Sequence, residues 1–232
     1  MRLLLISNST NYGGGFLDHC ADEIKNFLGP IKSILFVPYA LNDLDGYAAK
    51  TRERYVKMGI EVRSIHEFKN PTEGVKSASA IHIGGGNTFR LLKRMYDERI
   101  ITAIREKVKN GMPYIGASAG TNVATVSIKT TNDMPIAYPP TFDALGLVPF
   151  NINPHYIDPD PNSTHQGETR EQRINEFHEM NDTVVVGLRE GAWLRIEGAS
   201  VMLGGINGAK IFKKNEVPSE FEPGANLDFL LK

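Results

Sequence analysis

The chain has 232 residues, of which 41% are hydrophobic, and a formal net charge of −1. That length suits a single α/β domain over residues 1–232, and the near-neutral charge argues against nucleic acid or an anionic membrane as the main partner. The single cysteine excludes an intrachain disulfide, and no stretch approaches the ~18 apolar residues of a membrane span. We therefore expect a cytoplasmic protein without a membrane partner.

Short apolar strands alternate with amphipathic helices through the first half of the chain. The patterns predict strands at 3–7, 33–38, 61–65, 80–83 and 114–117, and helices at 16–28, 44–58, 87–96 and 98–109. This alternation predicts parallel β-α-β units and a mostly parallel sheet that helices cover on both faces. Ligands bind to such sheets at the carboxyl ends of the strands.

The second half of the chain has a different pattern. Residues 130–154 are rich in Pro, Asn and Asp and are predicted to be mostly loop, and a helix is predicted from 168 or 169 to 180. Strands are predicted at 183–188, 192–196, 200–203 and 210–212, partly antiparallel. The sequence contains neither a repeat nor a linker, so the prediction remains one domain.

A G-x-S-x-G pattern follows the apolar residues Tyr114 and Ile115 and precedes a run of small residues. This is the pattern of a nucleophile elbow, a sharp turn from a strand into a helix. Gly116 and Gly120 remove side chains that would collide at the turn, and the turn exposes the hydroxyl of Ser118. The helix start also directs free backbone N–H groups at a bound oxygen. Ser118 is thus the candidate nucleophile.

A nucleophilic serine needs a base and an acid that orients the base. Among six histidines, His155 is favoured because Pro154 stiffens the backbone before it, and His165 in a Ser/Thr/Gly-rich loop is the weaker candidate. Glu190 directly follows a predicted strand and is the candidate acid, although it could equally be an ordinary turn carboxylate. The order Ser–His–acid differs from the α/β-hydrolase order Ser–acid–His, so that fold is not predicted.

An oxyanion hole needs two N–H donors near the serine. Ala119, directly after Ser118, is the candidate for one donor. The glycine run at residues 84–86 lets the backbone approach a substrate closely, and Gly86 is the candidate for the other. A phosphate cradle is the alternative for this run, but no third glycine at dinucleotide spacing and no Gly-Lys-Ser/Thr follows it.

Six motifs in this order together resemble peptidase E, the α-aspartyl dipeptidase family: Gly84–Phe89, Gly116–Gly120, Thr131–Ile136, Ile152–Tyr156, Gly167–Arg173 and Glu190–Gly191. The resemblance runs over nearly the whole chain. It implies a three-layer α/β/α sandwich like that of class I glutamine amidotransferases, and hydrolysis of dipeptides with an N-terminal aspartate. It also implies a Ser118–His155–Glu190 triad, no cofactor and no metal. The expected partner is a small dipeptide substrate. The protein itself is expected to be a monomer or a homodimer.

An Asp-Xaa substrate presents a side-chain carboxylate and a free amine. Arginine suits the carboxylate because its fork pairs bidentately, and the family resemblance favours Arg170 over Arg173, which fits a solvated helix face. Asp133 is the candidate for the amine, and Asn87 is also assigned to substrate binding. The segment Asp158–Gln166, rich in Pro, Asn and Ser, is a candidate mobile lid.

Two other functions stay open at this point. A cyanophycinase-like peptidase would share the elbow and the glycine loop but cleave an aspartate-rich storage polymer. A non-catalytic, flavodoxin-like binding module would keep the fold without the chemistry.

Overall fold

The predicted alternation of strands and helices is present in the computed structural model, which describes residues 1–162, 164 and 166–232. The strands are β1 Arg2–Ile6, β2 Ser33–Val37, β3 Glu61–Ser64, β4 Ile81–Ile83, β5 Tyr114–Ala117, β6 Asn151–Tyr156, β7 Val185–Arg189, β8 Ala192–Glu197, β9 Ser200–Gly205, β10 Ala209–Phe212 and β11 Ser219–Phe221. The helices are α1 Ala21–Leu28, α2 Leu44–Val56, α3 Pro71–Ser77, α4 Thr88–Asp97, α5 Ile101–Lys109, α6 Ala119–Asn122 and α7 Arg170–Met180. Short 3-10 helices lie at Asp18–Cys20, Ile65–Glu67, Ile128–Thr130 and Asp228–Leu231.

The larger sheet has seven strands in the order β3-β2-β4-β5-β1-β8-β9. The first five are mutually parallel, β8 pairs antiparallel with β1, and β9 pairs antiparallel with β8 at the edge of the sheet. The mostly parallel central sheet and the antiparallel strands in the C-terminal part are therefore both confirmed.

Alternate side chains of these strands face two apolar layers. Leu4, Ile6 and Phe36 pack with residues of α1 and α2 on one face. Leu3 and Leu5 pack on the other face with residues of α3, α4 and α5. Because β1, β2, β4 and β5 are buried on both faces, they read as largely apolar runs in the sequence, whereas the edge strand β3 alternates exposed and buried residues. The predicted three-layer α/β/α arrangement is confirmed.

A second sheet, β11-β10-β7-β6, lies on the α4 side and shares its core. The prediction of loop over 130–154 is wrong at its end, because β6 begins at Asn151 and pairs in parallel with β7. The strand was not predicted because it contains Asn151 and Asn153, and asparagine is a poor strand former. Their amides instead bond to the preceding segment: Asn153 Nδ2 donates to the Thr130 carbonyl at 2.8 Å. Packing of α7 through Ile174 covers the outer face of this sheet.

Two predicted helices begin later than expected. Helix α1 starts at Ala21 rather than 16, and α5 starts at Ile101 rather than 98. Leu17 has φ of 56° and Arg99 has φ of 57°, and neither value is compatible with a right-handed helix. Residues 8–17 are thereby left as an open loop at the carboxyl end of β1, beside the ends of β4 and β5. No helix in the described part of the chain is long and apolar enough to cross a bilayer.

Candidate active site

Ser118 lies between the last residue of β5 and the first residue of α6, with φ of 52° and ψ of −109°. This strained conformation depends on the two flanking glycines. A Cβ on Gly116 would lie 2.5 Å from the Gly120 carbonyl oxygen, and one on Gly120 would lie 2.0 Å from the Ile83 carbonyl oxygen. The steric reason predicted for both glycines therefore holds.

The structure brings the three predicted catalytic side chains together. His155 Nε2 lies 2.9 Å from Ser118 Oγ, and His155 Nδ1 lies 2.6 Å from Glu190 Oε1. With the proton on Nδ1 donated to the carboxylate, Nε2 is free to accept the serine proton. The His155 and Glu190 side chains are 37% and 50% exposed, so the pair opens onto solvent from which a substrate can enter. His165, the weaker candidate base, lies outside the described residues.

Two buried polar residues at the end of β1 hold this arrangement, and sequence analysis did not identify them. Ser7 Oγ accepts a hydrogen bond from the His155 backbone N–H at 2.9 Å and donates one to the Leu188 carbonyl at 2.8 Å. Asn8 Oδ1 accepts from the Gly191 N–H at 2.7 Å, directly after Glu190. The sequence could have indicated these two residues by their position directly after an apolar parallel strand, because the carboxyl ends of parallel strands lie at the same edge of the sheet.

His155 itself has φ of 53°, a left-handed conformation that a non-glycine residue adopts at some cost. The bond from its N–H to Ser7 and the pairing of β6 with β7 on either side of it hold that conformation. The backbone thus fixes the imidazole from one side while Glu190 fixes it from the other.

The glycine loop packs directly against the serine. A Cβ on Gly85 would lie 3.1 Å from Ser118 Cβ, and one on Gly86, at φ of 133°, would lie 2.7 Å from the Ala40 carbonyl oxygen. The Gly85 N–H donates to Tyr47 Oη at 2.9 Å. Within the described residues, the N–H groups of Gly86 and Ala119 have no backbone acceptor. Both are therefore available to an oxygen bound beside Ser118.

Asp133 and Asn87 join the glycine loop to the segment that follows α6. Asp133 Oδ2 accepts bonds from the Thr88 N–H at 2.7 Å and the Thr88 hydroxyl at 2.5 Å, so it caps the start of α4. Asn87 Oδ1 accepts from the Arg90 N–H at 3.0 Å, while its Nδ2 donates to the Met134 carbonyl at 2.8 Å. Both residues thus have a structural part that the sequence did not predict.

Arg170 lies apart from this cleft. It is the first residue of α7 and lines a separate cavity of about 450 Å³ that also contains Asp158 and Arg173. Burial and the neighbouring Arg173 lower the pKa of Arg170, and Asp133 acts in the opposite direction. Arg173 pairs with Glu168 at 3.5 Å on the surface, as expected for a solvated helix face.

The predicted lid segment begins at a fixed residue. Asp158 accepts two hydrogen bonds from Arg189, at 2.7 and 2.9 Å. The Arg189 guanidinium holds the pKa of Asp158 below its usual value. A bidentate pair of this kind anchors the start of the segment to β7. Motion of the rest of the segment stays a prediction.

The cleft over Ser118 has a volume of about 700 Å³ and includes a wall from α2 that sequence analysis missed. Tyr47 and Lys50 of α2 line it together with Phe16, Ser118, Asp133 and His155. Burial raises the pKa of Tyr47 to about 12, so its hydroxyl stays protonated at neutral pH. Within the described residues, no cluster of three or more His, Cys, Asp or Glu side chains is placed to hold a metal ion.

The comparisons with known proteins agree with one another. A sequence model of Peptidase family S51 matches residues 3–204. Peptidase E of Streptomyces coelicolor is 52% identical over 231 residues, which is 100% of this chain and 95% of that protein. The Probable alpha-aspartyl dipeptidase of Drosophila melanogaster is 47% identical over 234 residues, which is 100% of this chain and 98% of that protein.

Solved structures show the same fold. A peptidase from an acI-B1 Actinobacterium superposes with a TM-score of 0.72 at 17% identity, covering 97% of this chain and 96% of that one. The family match spans most of the chain, and the alignments with both sequence relatives cover all of it. This chain belongs to peptidase family S51 and is a serine peptidase.

Proposed function

We propose that this chain is a serine dipeptidase that hydrolyses Asp-Xaa dipeptides through Ser118, His155 and Glu190. The observation that carries the proposal is the continuous set of contacts from Ser118 Oγ through the imidazole to Glu190, at 2.9 and 2.6 Å. The names of the relatives, peptidase E and alpha-aspartyl dipeptidase, support the dipeptide and its N-terminal aspartate.

Acylation begins when Ser118 Oγ attacks the carbonyl carbon of the aspartyl residue. His155 Nε2 takes the serine proton, and Glu190 stabilises the resulting imidazolium without itself becoming protonated. The carbonyl oxygen becomes an oxyanion, which accepts hydrogen bonds from the N–H groups of Gly86 and Ala119. Collapse of the intermediate expels the amine of the second residue, and that amine receives the proton from His155 Nε2.

Deacylation repeats the sequence with water as the nucleophile. His155 takes a proton from the water as it attacks the ester carbon, and the same two N–H groups bind the second oxyanion. Ser118 leaves with the proton from His155, which frees aspartate and restores the enzyme. Each proton is transferred between substrate, water and residues of this chain.

Recognition of the aspartyl residue is assigned to Asp133, Asn87 and Arg170. Asp133 lines the cleft, and its bonds to Thr88 both fall on Oδ2, which leaves Oδ1 for the substrate amine. Asn87 holds the Asp133–Met134 backbone in place through the Met134 carbonyl. Arg170 binds the side-chain carboxylate of the substrate aspartate after movement of the segment Asp158–Gln166, which precedes α7.

The test combines a substrate panel with the Ser118→Ala variant. The wild type is expected to hydrolyse Asp-Leu in preference to Glu-Leu, Asn-Leu and N-acetyl-Asp-Leu. Asp133 should require a free amine on the first residue, and Arg170 should require a carboxylate on a side chain of the length of aspartate. Ser118→Ala should lower kcat on Asp-Leu by a factor on the order of 10⁶ if the triad acts as a unit.

Ser77→Ala is the matched control, because Ser77 ends α3 on the surface and its hydroxyl, among the described residues, donates only to the Gly74 carbonyl. Undiminished activity of a Ser118→Ala preparation free of wild-type enzyme would sink the mechanism. Preference for N-acetyl-Asp-Leu would contradict the amine assignment. Release of arginine from an aspartate-rich storage polymer, without Asp-Leu cleavage, would favour the cyanophycinase-like alternative.

A further inference from the structure

The cleft crosses the carboxyl edge of the larger sheet, and charged side chains line it on both sides. Asp133 approaches from the α4 side, where it caps that helix. Phe16 and Lys50 approach from the opposite face, where α1 and α2 pack, and the α2 cap residue Asp43 also lines the cleft there. Ser118 lies between them at the end of β5. Of the described residues that line this cleft, Lys50 alone carries a permanent positive charge.

The position of Lys50 is set by the first turns of α2. Asp43 Oδ1 accepts a hydrogen bond from the Gly46 N–H at 2.9 Å and fixes the start of the helix. Tyr47 is buried, packs edge-to-face on Phe36 with ring centroids 5.0 Å apart, and accepts the Gly85 N–H. Lys50 follows Tyr47 by three residues and therefore shares its helix face. The position of the lysine stem relative to the glycine loop beside Ser118 is thus fixed by α2.

The charge of Lys50 has no carboxylate partner within 4.0 Å among the described residues. Its Nζ lies 4.9 Å from the centroid of the Phe16 ring, an exposed cation–π contact that a carboxylate can easily replace. Lys57, just beyond the end of the same helix, differs because it pairs with Glu53 at 3.0 Å. A cation that faces a cleft without a partner is available to a bound anion.

We propose that Lys50 binds the α-carboxylate of the second residue of the dipeptide. This inference rests on the proposed function, in which Asp133 holds the amine and Ser118 attacks the carbonyl between the two residues. Two extended residues span roughly 7 Å, so the leaving residue projects beyond Ser118, away from Asp133. That direction leads to the α2 wall and to Lys50.

The consequence is selection for chain length. In a dipeptide, the residue that follows the scissile bond ends in a free carboxylate, whereas in a longer peptide an amide replaces that carboxylate. Lys50 offers one compact charge with three donors, which suits an exposed carboxylate of variable orientation. Its contact exists in both the bound substrate and the transition state of acylation, so its loss should raise KM more than it lowers kcat.

The experiment compares Asp-Leu with Asp-Leu-amide in three proteins. Lys50→Met removes the charge but keeps an apolar stem against Phe16, and Lys57→Met is the control on the same helix. In the wild type, the amide should have a kcat/KM about 10- to 100-fold below that of the acid, as expected for one charge-assisted hydrogen bond. Lys50→Met should lose about that factor on Asp-Leu and less than about twofold on the amide, while Lys57→Met should match the wild type on both.

Equal losses on acid and amide would overturn the proposal, because Lys50 would then act on the aspartyl residue or on the fold. Unchanged kinetics of Lys50→Met would overturn it as well. Lys50→Arg should restore most of the preference for the acid. If the wild type cleaves another dipeptide but not Asp-Leu, the aspartate specificity fails, and the same acid-against-amide comparison on that dipeptide still tests Lys50.

Discussion

Arg170 and Arg173 lie within one turn of each other on α7 but have different surroundings. Arg173 pairs with Glu168 on the surface, and exposed pairs of this kind contribute little free energy. Arg170 is partly buried, with the like charge of Arg173 and the opposite charge of Asp133 acting on it. The pair therefore offers a matched comparison of the proposed substrate-binding arginine, Arg170, with the solvated Arg173.

Arg170→Ala should lower kcat/KM on Asp-Leu by about 30- to several-thousand-fold, since loss of one buried charge partner typically costs ~2–5 kcal/mol. Arg173→Ala should lose far less. Steady-state kinetics on both variants, with thermal melting as the check on folding, measure the difference. If Arg170→Ala cleaves Asp-Leu as the wild type does, another residue reads the aspartate side chain and the assignment is wrong.

At the scale of elements, the loop between β4 and α4 requires glycine at position 86. Gly86 has φ of 133°, and an added Cβ would lie 2.7 Å from the Ala40 carbonyl oxygen. Rigid backbone supplies that oxygen, so the loop itself must shift to accept a side chain. A shift would move the Gly86 N–H away from the position that we propose for an oxyanion-hole donor beside Ser118.

Gly86→Ala is expected to lower kcat by about 10²–10³, the typical cost of losing one oxyanion donor. Gly14→Ala is the control from the other glycine run, because the nearest atom to its added Cβ is the Asn11 carbonyl oxygen at an ordinary 3.4 Å. Single-turnover kinetics on Asp-Leu would report the acylation step directly. A Gly86→Ala enzyme with normal acylation would remove Gly86 from the oxyanion hole.

At the scale of the whole molecule, a buried histidine links stability to pH. His82 lies in β4, and its side chain contacts α2, with Nδ1 2.9 Å from Tyr55 Oη and Nε2 without a partner among the described residues. Burial lowers the pKa of His82 to about 3, whereas the unfolded chain binds that proton near pH 6.5. The unfolded state therefore holds more protons below pH 6.5, and stability falls as pH falls from 6.5 towards 3.

At pH 5 this difference amounts to about 2 kcal/mol of unfolding free energy. His82→Asn removes the titration and keeps an acceptor or donor for the Tyr55 hydroxyl. Urea unfolding at pH 7.5 and pH 5 should show the wild type losing about 2 kcal/mol more than His82→Asn over that interval. For each protein, the unfolding free energy at pH 5 is compared with its own value at pH 7.5. Parallel losses in the two proteins would contradict the buried neutral imidazole.

The sequence by itself determined the features that depend on neighbours along the chain. The G-x-S-x-G turn around Ser118 and the alternating strands and helices are local patterns, and they predicted the elbow, the parallel sheet and its carboxyl edge. Glu190 was placed correctly at a strand end for the same reason. The candidate triad could be predicted from the sequence because each of its members lies at or next to the end of its own strand.

Only the tertiary structure decided which distant segments meet at that edge. The bond from the His155 N–H to Ser7 joins residues separated by 148 positions, and no local pattern in β1 predicts it. The second sheet, the α2 wall with Lys50, and the separation of Arg170 from the cleft likewise depend on how the layers pack. Strand and helix patterns report which face of an element is buried, but they carry no information on which other element covers it.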